Sequence, residues 1–136
     1  MEWSNGEYVL TDELARMDLD AICRLLADTY WAGDRPRERT ERACQHSVCF
    51  GLFQRGRQIG FARAVSDQAT FTYLGDIVIA AEHRGRGLGT WMLRTMLDHP
   101  QLQTTTCALR TRNAPELYAQ FGFKPAEYLR KSTNPG

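Results

Sequence analysis

Three glycines at alternate positions, Gly85, Gly87 and Gly89, follow His83-Arg84 and precede Thr90. Residues lacking Cβ at that spacing let successive backbone N–H groups point into one concavity. A helix starting near Leu88 would add its unpaired first-turn N–H groups and its positive dipole end, both of which favour an anion. Arg84 and Arg86 bring charge to the rim. The chemistry open to such a turn is the holding of a pyrophosphate; without a ligand it is only a tight strand-to-helix connection. Two other phosphate motifs fit less well. A dinucleotide fingerprint would need glycine where Thr90 stands and normally sits on a first strand, whereas about eighty residues come first here. A P-loop would need Gly-Lys-Ser/Thr after four spacers, which the run does not offer.

The elements that must position this turn can be read from periodicity. Glu7 to Thr11 makes a short first strand. Leu19, Ile22, Cys23, Leu26 and Tyr30 recur at helical spacing, with Asp18 placed to cap the start. Trp31 to Pro36 breaks that helix, and Pro36 opens a second through about His46. Its residues Arg37, Glu38, Arg39, Glu41 and Arg42 face mostly water. Val48 to Gln54 is an apolar strand and Arg55-Gly56-Arg57 a hairpin turn. Gln58 to Ser66 is a second strand and Thr70 to Ala80 a third, with Gly75 marking a bulge or a close backbone approach.

Beyond the glycine turn, Leu88, Trp91, Met92, Thr95 and Met96 give a helix its buried face. Thr104 to Thr111 reads as a strand. Asn113-Ala114-Pro115-Glu116 looks like a capping box opening a short helix with Leu117, Tyr118 and Phe121. Phe123 to Lys131 reads as a last strand. The order β-α-α-β-β-β-α-β-α-β combines hairpins with a strand–helix–strand crossover, so an α/β (α+β) sheet of mixed direction is expected.

The bulk numbers exclude more than they assign. A chain of 136 residues fits one domain, with 43% hydrophobic and 24% charged residues. Net charge is +1, which makes no case for nucleic acid or an anionic membrane. Lys124 and Lys131 are the two lysines; the other basic residues are arginines, suited to bidentate carboxylate and phosphate contacts, though compositional bias gives the same ratio. The N-terminus lacks the pattern of a signal peptide, and no apolar run reaches the ~20 residues of a membrane span. Four scattered cysteines fit a reduced, cytoplasmic protein. Cys44-x-His46-x-x-Cys49 crosses from helix to strand without a fourth ligand nearby, so no metal is expected.

Arg84-Gly85-Arg86-Gly87-Leu88-Gly89 resembles the R/Q-x-x-G-x-G/A signature of the GNAT superfamily of coenzyme A-dependent N-acetyltransferases. The preceding Asp76-Ile77-Val78-Ile79 is similar to that family's strand before the loop, and Leu117-Tyr118-Ala119-Gln120-Phe121-Gly122-Phe123 to its L-Y-x-x-x-G-F segment. Tyr30-Trp31-Ala32 with Cys49-Phe50-Gly51 resembles a group of small bacterial members. The resemblance implies one GNAT-like domain over 1–136, with a mixed, mostly antiparallel sheet flanked by about four helices. It implies acetyl-CoA as co-substrate, a small-molecule or peptide amine as acceptor, and direct attack in a ternary complex. Oligomeric state is open, a homodimer included.

By the same resemblance, backbone groups of Ile77, Val78 and Ile79 pair with the pantetheine arm, and backbone amides of Arg84, Gly85, Arg86, Gly87, Leu88, Gly89 and Thr90 hold the pyrophosphate. The strand bulge that admits the cofactor falls close to Gly75 and Asp76. Tyr118 is the candidate general acid: a thiolate of pKa ~8.5 can take a proton from a positioned phenol near ~10 as the C–S bond breaks. Alternatively it is a core aromatic beside Phe121. An alkylamine of pKa ~10.4 is almost wholly protonated at neutral pH, so a base is needed. Asp76 is the nearest acidic candidate, provided burial raises it or a water relays the proton; otherwise it is structural. Asn113 either hydrogen-bonds the cofactor or only caps its helix. Tyr30, Trp31, Phe61 and Tyr73 are aromatic candidates for the acceptor pocket, with Arg63 as a carboxylate anchor, and each can equally be a core residue. A non-catalytic acyl-CoA-binding or partner-binding module is the competing reading.

Overall fold

A computed structural model describes residues 1–112 and 114–132. Six strands form one sheet in sequential order, β1 (Glu2–Asn5), β2 (Tyr8–Thr11), β3 (Val48–Gln54), β4 (Arg57–Ser66), β5 (Phe71–Ile79) and β6 (Thr106–Leu109). Neighbours run antiparallel except β5 and β6, which are parallel and joined through a crossover helix. The helices are α1 (Leu19–Ala27), α2 (Arg37–Gln45), α3 (Leu88–Asp98) and α4 (Pro115–Ala119). The mixed, mostly antiparallel α/β architecture agrees with expectation.

Local chemistry explains most boundaries. The Asp18 carboxylate accepts from the amides of Asp20 and Ala21 and so starts α1. The β3–β4 hairpin turns through Arg55 and Gly56, both at positive φ, the combination a right-twisted two-residue hairpin requires. Two expectations need correction. The N-terminal strand is a hairpin, since Gly6-Glu7 turns Glu2–Asn5 back along Tyr8–Thr11; glycine as the first residue of a two-residue loop, here at φ +61, was the available signal. Residues 123–131, expected as a last strand, form none. Pro125 removes a ladder donor, and Tyr128 and Leu129 are exposed, so the segment buries no apolar face against the sheet.

Two apolar cores sandwich the sheet. Leu10, Phe50, Leu52, Ala64 and Leu74 pack with Leu88, Met92 and Met96 of α3. On the other face, Phe61 and Val78 pack with Ile22 and Leu26 of α1 and Cys44 of α2. Leu74 and Val78 are an even number of residues apart yet belong to opposite cores. A bulge intervenes: Phe61 pairs with Val78 and Arg63 with Gly75, so Asp76 and Ile77 together oppose Ala62. Asp76 is the pivot, at φ +54. Pairing with β6 also stops at Leu74–Leu109, so from Gly75 onward that edge of β5 has no β6 partner.

Candidate active site

The bulge sits close to the expected Gly75–Asp76 position, and the chain beyond it leads into the glycine turn. A single turn of 3-10 helix, Ala81–His83, links β5 to the loop before α3. Gly85 (φ +79) and Gly87 (φ +77) occupy the left-handed region, where a Cβ costs roughly 1–2 kcal/mol. Gly89 lies within α3. A Cβ added at any of the three would meet nothing within 4 Å. The open space is a cavity of about 240 Å³ lined by Ile79, His83, Arg84, Gly85, Gly87, Leu88, Gly89, Thr90 and Leu117.

Gly87 caps α3 without a side-chain acceptor, and the first intrahelical bond runs from the Trp91 amide to the Gly87 carbonyl. The earlier first-turn amides therefore lie where an anion can take them. Residues without Cβ, orphan amides and a helix N-terminus around one cavity fit a pyrophosphate. The Arg86 side chain departs from the rim position expected for its charge. Its guanidinium donates to the Tyr8 hydroxyl at 2.8 Å, and that hydroxyl also meets Nδ1 of His83 at 3.1 Å. Arg86 thus braces the loop against β2 and does not line the cavity. Arg84 does, with its Nε held on the Ile79 carbonyl at 2.9 Å.

On the other side of Ile77 lies a cavity of about 530 Å³. Tyr30, Trp31, Arg63, Tyr73, Asp76 and Tyr118, all expected near the chemistry, line it. Phe61 does not; it is fully buried against α1, because it faces the helix side of the sheet just before the bulge. Arg35, Arg110, Thr111, Arg112 and Arg130 also line the cavity and were not anticipated. Arg35 comes from the α1–α2 connection and the others from the chain after β6 or its tail, so no local spacing links them. Asn113 lies outside the described residues.

Asp76 is the electrostatic centre of this cavity. Its carboxylate accepts two bonds from Arg35 (2.8 and 3.1 Å), one from Nε of Arg63 (2.9 Å) and one from Nε1 of Trp31 (3.0 Å). Burial pushes its pKa up, but the Arg35 and Arg63 guanidiniums together outweigh burial and hold it below the usual carboxylate range. The elevation that would make Asp76 an effective base is therefore absent. Arg63 is likewise occupied, also donating to Ser47 at 3.2 Å, so its expected part as a free carboxylate anchor does not fit.

Tyr118, on α4, is partly buried and stands edge-on to Phe123 with ring centroids 6.1 Å apart. Burial, with a smaller contribution from Tyr30, raises its phenol above the ordinary value. It therefore stays protonated across the neutral range. Its neighbour Leu117 lines the glycine-turn cavity, just as Ile77 and Ile79 of β5 divide between the two spaces. Two consecutive residues of α4 and two alternate residues of β5 thus span from the glycine-turn cavity to the larger one.

Comparison with known proteins agrees with this geometry. A Gibberella zeae protein is 32% identical over 114 residues, covering 69% of this chain; the chain spans 64% of that relative's length. A crystal structure from Xanthomonas campestris pv. campestris superimposes with a TM-score of 0.90 at 40% identity, covering 98% of this chain and 97% of that one. Both carry the description "putative acetyltransferase", the second with assignment to the GNAT family. N-acetylglutamate synthase from Neisseria gonorrhoeae, solved with coenzyme A and N-acetyl-glutamate, shares the fold at a TM-score of 0.75 and 18% identity, over 91% of this chain and 30% of its own. The sequence profile of the acetyltransferase (GNAT) family matches residues 19–123. The chain belongs to the GNAT acetyltransferase family.

Proposed function

We propose that this domain transfers an acetyl group from acetyl-CoA to a primary amine by direct attack in a ternary complex. The observation that carries the reading is the succession of two cavities along β5 beyond its last β6 pair, one at the α3 N-terminus lined by Ile79 and Leu117 and a larger one lined by Ile77 and Tyr118. The pyrophosphate of the co-substrate would rest on the amides near Gly87 to Thr90. Its pantetheine arm would add to β5 along Ile77–Ile79 as an extra strand, because that edge presents backbone groups with no β6 partner. Bound there, the co-substrate supplies an activated acyl thioester.

The acceptor amine attacks the thioester carbon; the N–C bond forms and the C–S bond breaks. Tyr118 gives its phenolic proton to the departing sulfur and recovers one from solvent as the amine loses its own. Asp76 serves as a buried counter-ion that fixes Arg35, Arg63 and Trp31. The proton lost by the amine goes to water, because the carboxylate of Asp76 is saturated with donors. Thiol release from acetyl-CoA over a panel of amines tests the proposal. Turnover by the native protein, lost in Tyr118→Phe while CoA still binds, supports it. Tight CoA binding without turnover over the whole panel would make the domain a binding module.

A further inference from the structure

The larger cavity contains a surplus of positive charge that the co-substrate does not explain. Five arginines line it against one carboxylate. Asp76 accounts for Arg35 and Arg63. Arg110, Arg112 and Arg130 have no carboxylate partner among the described residues; Arg112 lies over the Tyr30 ring at 4.1 Å, and Arg110 is close enough to influence Tyr73. The phosphates are served elsewhere, in the glycine-turn cavity with its own Arg84, and a pantetheine arm is uncharged. An acceptor that is only a cation would be repelled from this space.

We propose that the acceptor is a small amine that also carries a carboxylate, of the amino-acid class, and that Arg110 and Arg130 receive that carboxylate. The proposal rests on the acetyl-transfer reading above and adds the substrate class. A guanidinium presents paired N–H donors that match the two oxygens of a carboxylate, and one with no carboxylate partner among the described residues has that capacity to spare. The aromatic rings of Tyr30, Trp31, Tyr73 and Tyr118 give the rest of the wall a flat, partly apolar surface that accommodates a side chain. A cavity of about 530 Å³ is of the size that holds a small molecule, not a folded partner. The same positive field disfavours the ammonium form of the bound amine, so it supplies free nucleophile without a dedicated base.

The test compares matched acceptors at fixed acetyl-CoA by thiol release: L-phenylalanine and L-leucine against their C-terminal amides, with spermidine and O-phosphoethanolamine as further arms. Free acids should exceed their amides in kcat/KM by roughly ten- to a hundredfold, the worth of a charge-assisted contact. That ratio should collapse towards one in Arg110→Met and Arg130→Met, mainly through KM, with melting temperatures unchanged because both residues are exposed and form no salt bridge among the described residues. Amides or spermidine turned over as well as the acids would overturn the proposal and leave the acetyl-transfer reading standing. A preference for O-phosphoethanolamine over every acid would overturn it in favour of a phosphate. Thiol release with none of these or any other amine, while CoA still binds, would sink the transfer reading and this proposal with it.

Discussion

Replacing Asp76 by asparagine separates the two roles considered for this residue. The change keeps size and shape, and asparagine tolerates the left-handed backbone at φ +54, so little besides charge is altered. The Asp76 side chain is 2% exposed, and Arg35 and Arg63 are 17% and 16% exposed. Near a protein surface, a contact between unit charges about 4 Å apart is worth about 4 kcal/mol before desolvation is subtracted. Removing one partner of a buried pair costs about 3–5 kcal/mol, because the other is left uncompensated. Water still reaches both arginines, which places the loss near the lower figure. A domain of this size loses roughly 3–4 °C of Tm per kcal/mol, so Asp76→Asn should melt about 10 °C lower.

The pH dependence adds a second reading of the same variant. The folded pKa of Asp76 is depressed, so its contribution is complete above the unfolded value of about 3.9 and disappears as pH falls through the folded value. The two proteins should therefore converge in stability as the solution is acidified. Thermal melts by circular dichroism over that range provide the measurement. At a temperature where both are folded, the variant should keep the ascending limb of its pH–rate profile, which then belongs to the amine. A Tm within about 2 °C of the native protein would refute the ion-network argument. A pH–rate profile that lost its ascending limb would reinstate Asp76 as the base.

Gly87→Glu should remove CoA binding measured by calorimetry, since it puts bulk and negative charge beside the orphan amides; undiminished affinity would contradict the cradle assignment. The fold should survive, with a strain cost of about 1–2 kcal/mol from the left-handed φ. Tyr118→Phe should lower kcat by roughly 10²–10⁴ with little change in CoA affinity. In the native enzyme the descending limb attributable to Tyr118 should lie above the ordinary phenol value of about 10, because burial raises it. Phe61→Ala should cost about 3–5 kcal/mol in denaturant unfolding, since the ring is fully buried against α1. A change in acceptor KM without that loss would return Phe61 to the pocket.

The glycine turn was legible because its requirements are local. Positive φ at Gly85 and Gly87 and the helix that follows depend on residues next to one another in the chain. The α1 start at Asp18, the β3–β4 hairpin and the buried face of α3 are local in the same sense, each set by a cap, a dipeptide or a period. Segment 123–131 misled because residue types state only what could be extended, whereas strand formation also needs a partner edge.

The sequence by itself therefore determined the glycine turn at the start of α3, the order of most elements and, through motif spacing, the family. Tertiary structure alone decided what each candidate side chain does. Asp76 became a counter-ion because a bulge turns it towards Arg35, forty-one positions earlier, and Arg63, thirteen earlier. Phe61 and Arg63 alternate along β4, yet the first enters the α1 core and the second the cavity. The excess of arginine was visible in composition, but its gathering around one cavity was not. Charges from the α1–α2 connection, the chain after β6 and the tail meet only when the sheet brings those segments together, and their field depends on the distances and burial that folding creates.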